Sequence, residues 1–169
     1  KPSGRGQKMN QSAVKKYAEK KKLPILQPTN LKSDSFISNL QALNADLFVV
    51  VAFRMLPEVV WAMPPKGTIN LHASLLPNYR GAAPINWAII NGESETGVTT
   101  FFIQQEIDTG KIIEQEKVKI GENESVGQLY ERLMHLGAKT MHLTIEKIKL
   151  GSATSIEQKE VMSGTEKQA

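Results

Sequence analysis

The chain has 169 residues, of which 40% are hydrophobic and 22% charged, a size and balance that fit one ordinary domain with a buried core. It contains no cysteine, which excludes disulfides and thiolate-ligated metal. The longest apolar run, residues 47–53, is far too short to cross a bilayer as a helix. The net charge of +4 is unevenly placed: residues 1–22 hold eight basic side chains against the single acid Glu19, so the remainder is mildly acidic. Such an end fits a polyanionic partner such as nucleic acid, or simply a solvated helix face beside a flexible terminus. A chain that opens on Lys1 is expected to have residues upstream of it. The lack of cysteine suits a reducing compartment, and the cytoplasm is the expected location.

"KPSGRGQK" reads as a loop, with two glycines, a proline and three cationic side chains. A helix is expected over Ser12–Lys22, burying Val14, Tyr17 and Ala18 and stopped by Pro24. "PILQP" is a short extended piece, and "SDSFISNLQALN" a helix with Phe36, Ile37, Leu40 and Leu43 on one face. "DLFVVVAF" is the clearest strand; apolar on both faces, it is expected in the centre of a parallel sheet. "LPEVVWAMPP" reads as a short helix ended by Pro64 and Pro65.

Gly67–Ser74 is the next strand, followed by the helix "APINWAIING" with Pro84 in its first turn and Gly92 past its end. "TGVTTFFIQ" and "KIIEQEKVKI" read as extended segments joined by the tight loop "QEIDTG". A long helix follows, capped by Ser125 and Gln128, with Val126, Leu129, Leu133, Leu136 and Leu143 on its apolar stripe. From Gly151 the sequence is polar and aperiodic, as a linker or frayed end would be. Alternating helices and strands predict an α/β fold around a mostly parallel sheet. Few strands precede the apolar one, so an N-terminal strand–helix–strand unit is expected to be absent.

The chemistry concentrates in "TINLHASLLPNYRG". On a strand Asn70 and His72 share one face, near the carboxyl end where open α/β sheets bind ligands. An amide and an imidazole placed there suit a developing oxyanion; a histidine that merely happens to sit on a strand is the other reading. Asp108 in "EIDTG" offers a carboxylate to fix that imidazole, or is an ordinary turn residue before Thr109 and Gly110. His135 and His142, seven apart on the last helix, have no acidic ligand at metal spacing and read as surface residues. No nucleophile elbow, P-loop or dinucleotide glycine fingerprint is present, which argues against covalent acyl transfer and nucleotide-driven chemistry.

"NLHASLLPNYRGAAPINWAIINGESETGVTTFFIQQEIDTGKII", with Asn-x-His, SLLP and Asp-Thr-Gly in that order, resembles the folate-dependent formyltransferases. The resemblance runs from Gly4 to about Lys159, and "RGAAPI" with the upstream "GRG…LQP" favours members acting on tRNA over the purine-pathway transformylases. It implies a Rossmann-like formyltransferase fold, with residues 1–150 a catalytic domain and residues 151–169 a linker toward a further domain. It implies Asn70, His72 and Asp108 as the catalytic set, and Ser74, Leu75, Leu76 and Pro77 as a folate-contacting segment. Arg54, Met55, Leu56 and Ile107 would line the pterin cleft, although "AFRMLP" stands where many relatives have a Tyr-Gly pair. Arg5 and Lys8 would approach the acceptor stem of a tRNA.

The implied reaction moves the formyl group of 10-formyltetrahydrofolate to the α-amino group of initiator methionyl-tRNA, without metal or membrane, in a monomer. The alternatives are a formyltetrahydrofolate hydrolase and a sugar-amine formyltransferase using the same three residues, or a fragment that only binds folate.

Overall fold

The computed structural model describes residues 2–3, 8–9, 11–51, 55–161 and 167, in two compact units, residues 1–43 and 44–169. In the first unit β1 (Pro2–Ser3) pairs antiparallel with β2 (Lys8–Met9). Helix α1 (Ala13–Lys20) starts at Ser12, whose hydroxyl accepts from the Lys15 N–H at 3.2 Å and so satisfies one donor of the open first turn. The helix follows the expected bounds closely, but its expected burial does not hold: Val14 and Tyr17 are 79% and 59% exposed. Helical spacing reveals an apolar face without saying whether anything covers it. Helix α2 (Asp34–Gln41) completes the unit, with Phe36, Ile37 and Leu40 half-buried and Leu43 exposed.

The second unit is an open four-stranded sheet in the order β3 (Phe48–Val51), β4 (Thr68–His72), β5 (Glu95–Phe102), β6 (Ile112–Lys119). The α/β class stands, but the sheet is mixed. β3 and β4 are parallel, joined through the short helix α3 (Glu58–Trp61), whereas β4–β5 and β5–β6 are antiparallel. β5 and β6 are joined by the loop 103–111, short enough to return the chain antiparallel. The expected central position of "DLFVVVAF" is not observed: among the described residues β3 is an edge, with Val49 and Val51 42% and 59% exposed. An apolar run tells how a strand prefers to be covered, not which neighbours it has.

Helix α4 (Pro84–Ile90) takes Pro84 at its first turn, where the missing N–H costs nothing. Helix α5 (Val126–Lys149) opens with the Ser125–Gln128 capping box. It covers one sheet face through Leu129, Leu133, Met141 and Ile148, against Ile69, Val98 and Ile113 with Leu71 alongside. A Cβ on Gly137 would stand 2.7 Å from Leu71 Cδ2, so any side chain there would require the end of Leu71 to move aside. Leu143 is exposed rather than part of the stripe. It lies ten residues past Leu133, a rotation of about 80° off that line at 3.6 residues per turn. Thr140 and Thr144 fill the stripe instead, and the Thr144 hydroxyl meets that of Thr100 at 2.8 Å.

Because Ile69 and Leu71 face α5, Asn70 and His72 face the opposite side of β4.

Candidate active site

That opposite face opens on a cavity of about 540 Å³, a size suited to a small-molecule ligand. Asn70, His72, Leu56, Trp61, Ile107 and Asp108 are among the residues that line it. His72 is 7% exposed and held from both sides of its ring. Its Nε2 is 2.7 Å from the Tyr79 carbonyl oxygen, which only accepts, so this nitrogen carries the hydrogen. Its Nδ1 is 3.5 Å from Asp108 Oδ2. Asn70, which lines the cavity, donates through Nδ2 to the Val50 carbonyl of β3 at 3.2 Å, a bond that orients the amide and uses one of its two N–H groups.

Asp108 is both things its sequence context allowed. It is a turn residue in the left-handed region (φ 54°), a conformation Asp tolerates better than most side chains. It also presents its carboxylate to His72, where Oδ2 accepts the Gly81 N–H at 2.9 Å. Gly110 is required in the same turn: a Cβ there would fall 1.6 Å from the Phe102 carbonyl oxygen.

The loop after β4 supplies the rest of the frame. Ser74, Leu76 and Pro77 are buried, and the cavity wall contains none of Ser74 to Pro77. Instead the Thr99 hydroxyl donates to the Ser74 carbonyl at 2.7 Å and accepts the Leu76 N–H at 3.1 Å. Gln115 Nε2 donates to the Leu76 carbonyl at 2.7 Å. The SLLP segment thus holds the loop in place from below. Tyr79 (φ 59°) follows, its hydroxyl donating to Glu93 and accepting from Asn91 Nδ2 at 3.0 Å. Burial and the bond to Glu93 push the Tyr79 phenol above its ordinary value. Burial alone would raise Glu93 too, but hydrogen bonds from Lys167 (2.6 Å) and Tyr79 outweigh it and hold the carboxyl below the usual range.

Met55, Leu56 and Ile107 line the cavity as expected, whereas Arg54 and Arg5 lie outside the described residues, as does the side chain of Lys8. His135 and His142 are exposed. Among the described residues no group of three or more His, Cys, Asp or Glu could hold a metal ion, and no helix is long and apolar enough to cross a membrane. Sequence reasoning missed the Tyr79 carbonyl and Gly81 N–H, which are backbone groups with no sequence signature. It also missed Gln158, which sits in the polar stretch after α5 yet donates to the carbonyls of Asp108 and Gly110.

Fold and cavity define an α/β protein with an imidazole–carboxylate pair and a carboxamide lining one ligand-sized cleft. The formyl transferase family model matches residues 1–145, and the chain belongs to that family. It is 61% identical over 160 residues to the methionyl-tRNA formyltransferase of Flavobacterium psychrophilum, covering 95% of this chain and 51% of that one. To the enzyme of the same name from Bacteroides fragilis it is 55% identical over 161 residues, covering 95% and 50%. The chain therefore spans about half the length of the curated relatives it matches. Among solved structures it is similar to the formyltransferase PseJ of Anoxybacillus kamchatkensis, crystallised with a formamido sugar nucleotide and tetrahydrofolate. The TM-score is 0.69 at 25% identity, covering 95% of this chain and 82% of that one.

Proposed function

We propose that this chain is the catalytic part of an enzyme that transfers a formyl group from 10-formyltetrahydrofolate to the amino group of initiator methionyl-tRNA. The observation that carries the reading is the His72–Asp108 pair lining one cavity with Asn70. The choice of acceptor is supported by the 61% identity to a relative of that name, well above the 25% to the nucleotide-sugar enzyme. The tetrahydrofolate bound by the latter supports a folate donor for this cleft.

In this reading the amine nitrogen attacks the formyl carbon, and the formyl oxygen becomes an oxyanion. Nε2–H of His72 is committed to Tyr79, so the Nδ1–H of the protonated ring is the one shared between Asp108 and the oxyanion. Asn70 donates its second Nδ2–H to the same oxygen. Asp108, fixed by the Gly81 N–H, holds the imidazolium and takes the proton the amine loses. The oxyanion then collapses to the new amide as the bond to the folate nitrogen breaks, and that nitrogen receives the proton Asp108 took from the amine. The family resemblance assigns Arg54, Met55, Leu56 and Ile107 to the pterin side of the cleft, and the last three line the cavity. Ser74, Leu75, Leu76 and Pro77 are assigned to folate contact, with Thr99 and Gln115 holding that segment in shape. Residues 1–150 would form the catalytic domain and 151–169 lead to a further one. The enzyme would work as a monomer in the cytoplasm, without a metal.

Formyl transfer to methionyl-tRNA, measured beside formate release without an acceptor and transfer to an amino-sugar nucleotide, tests the assignment. Transfer to the tRNA is expected to dominate; formate release of equal rate with and without tRNA contradicts it. Arg5 and Lys8 are assigned to acceptor-stem phosphates, so replacing both with Ala should lower the salt slope of tRNA binding by about 2. An unchanged slope removes that assignment.

A further inference from the structure

Gln158 opens the short helix α6 (Gln158–Val161), in the stretch beyond α5 that composition marks as a tail. It is 3% exposed, and its amide is used at both ends. Nε2 donates to the Asp108 carbonyl and to the Gly110 carbonyl, both at 2.8 Å. Oε1 accepts from Arg80 Nε at 3.0 Å and Nη2 at 2.6 Å. Arg80 Nε also donates to the Asp108 carbonyl at 3.2 Å, and the next residue, Gly81, holds the Asp108 carboxylate. Just upstream, Ile156 and Ile112 exchange two backbone hydrogen bonds of 2.9 Å, which pin the segment to the start of β6.

These bonds close a ring around one turn. Asp108 sits in the left-handed region, a conformation that persists only where its surroundings over-determine it. Gln158 grips the turn on both sides of Thr109, and a buried amide with donors and acceptor satisfied has one orientation. We propose that Gln158 is a positioning residue for Asp108, so that the segment after α5 completes the active site instead of merely leaving it. The proposal rests on the assignment of Asp108 as the partner of His72.

His72 is faced by Asp108 from the β5–β6 loop and by the Tyr79 carbonyl from the loop after β4, while Glu58 of α3 and Glu106 share its cavity. Loosening Asp108 therefore changes the charge nearest the imidazole and leaves the others in place. A residue that only staples the fold would lower stability without touching that pair.

The test uses the full-length protein and follows the His72 ring signals by NMR at one fixed pH, beside kcat and KM for formyl transfer. Gln158→Ala removes every contact. Gln158→Glu is nearly isosteric and still accepts from Arg80 but cannot donate to the two carbonyls, and it serves if the first variant does not fold. Both are expected to move the His72 ring signals toward those of Asp108→Asn. They should lower kcat about 10- to 100-fold with KM for the formyl donor changed less than about 2-fold. Glu157→Ala, which removes only an exposed ion pair to Lys111, should change neither. A folded Gln158 variant with native His72 ring signals overturns the proposal, and so does an equal change in Glu157→Ala. Displaced ring signals in a protein whose native form transfers no formyl group would refute the assigned reaction and leave this inference standing.

Discussion

Gly81 donates its backbone N–H to Asp108 Oδ2 at 2.9 Å, across a sequence separation of 27 residues. The loop that leaves β4 thereby holds the carboxylate facing the histidine at the end of β4. Tyr79, two residues earlier in that loop, accepts from the other side of the same imidazole. One loop thus fixes both neighbours of His72, which is how a surface connection gives a site its rigidity.

Asp108→Asn keeps the shape of the side chain and an oxygen for Gly81, but removes the negative charge that faces His72 Nδ1. We expect kcat/KM for formyl transfer to fall about 10²- to 10⁴-fold with little change in thermal stability. Steady-state kinetics alongside a melting curve check this, and a variant with native kcat/KM would show that the carboxylate is only a turn residue.

Gly110→Ala puts a methyl group where the Phe102 carbonyl oxygen stands 1.6 Å away, so the backbone of the turn must shift. The expected loss is about 3 kcal/mol of unfolding free energy, read from urea denaturation. A loss under about 0.5 kcal/mol, within the range of a surface substitution, would mean the turn adapts freely.

The Tyr79–Glu93–Lys167 cluster has a pH signature at each end. The depressed Glu93 pKa means its contribution to stability is present above the unfolded carboxylate value and is lost as pH falls through the lower folded value. The raised Tyr79 and Lys167 pKa values mean their contributions are present below the unfolded values and are lost as pH rises through the folded ones. Urea midpoints of native protein and Glu93→Gln should therefore converge below about pH 4 and differ most near neutrality. Tyr79→Phe should in turn narrow the alkaline loss above about pH 10. Parallel curves for Glu93→Gln and native protein from pH 3 to 8 would contradict the acid half.

Much of this site is legible in the sequence, and what is not has identifiable causes. Asn70 and His72 are placed together by the two-residue repeat of a strand, and Asp108 by its loop between two extended segments. Helix bounds follow from Ser12, Pro84 and Ser125, whose side chains act on the nearest backbone. Edge and centre are a different matter: the valines of β3 have the same pattern in either place, and pairing direction depends on connections rather than on strand residues. The Leu143 assignment failed because a seven-residue repeat drifts around a helix of 3.6 residues per turn. Thr140 and Thr144 were passed over because their hydroxyls look polar until Thr100 and the helix carbonyls are seen to satisfy them. Gln158 gave no signal, since its value lies wholly in two distant carbonyls and an arginine.

The central claim is that the imidazole on β4 serves formyl transfer. It is tested most directly by His72→Ala in the full-length protein, assayed for transfer from 10-formyltetrahydrofolate to methionyl-tRNA with folding verified. The account expects a fall in kcat of at least about 10²-fold; undiminished transfer by the folded variant would contradict it.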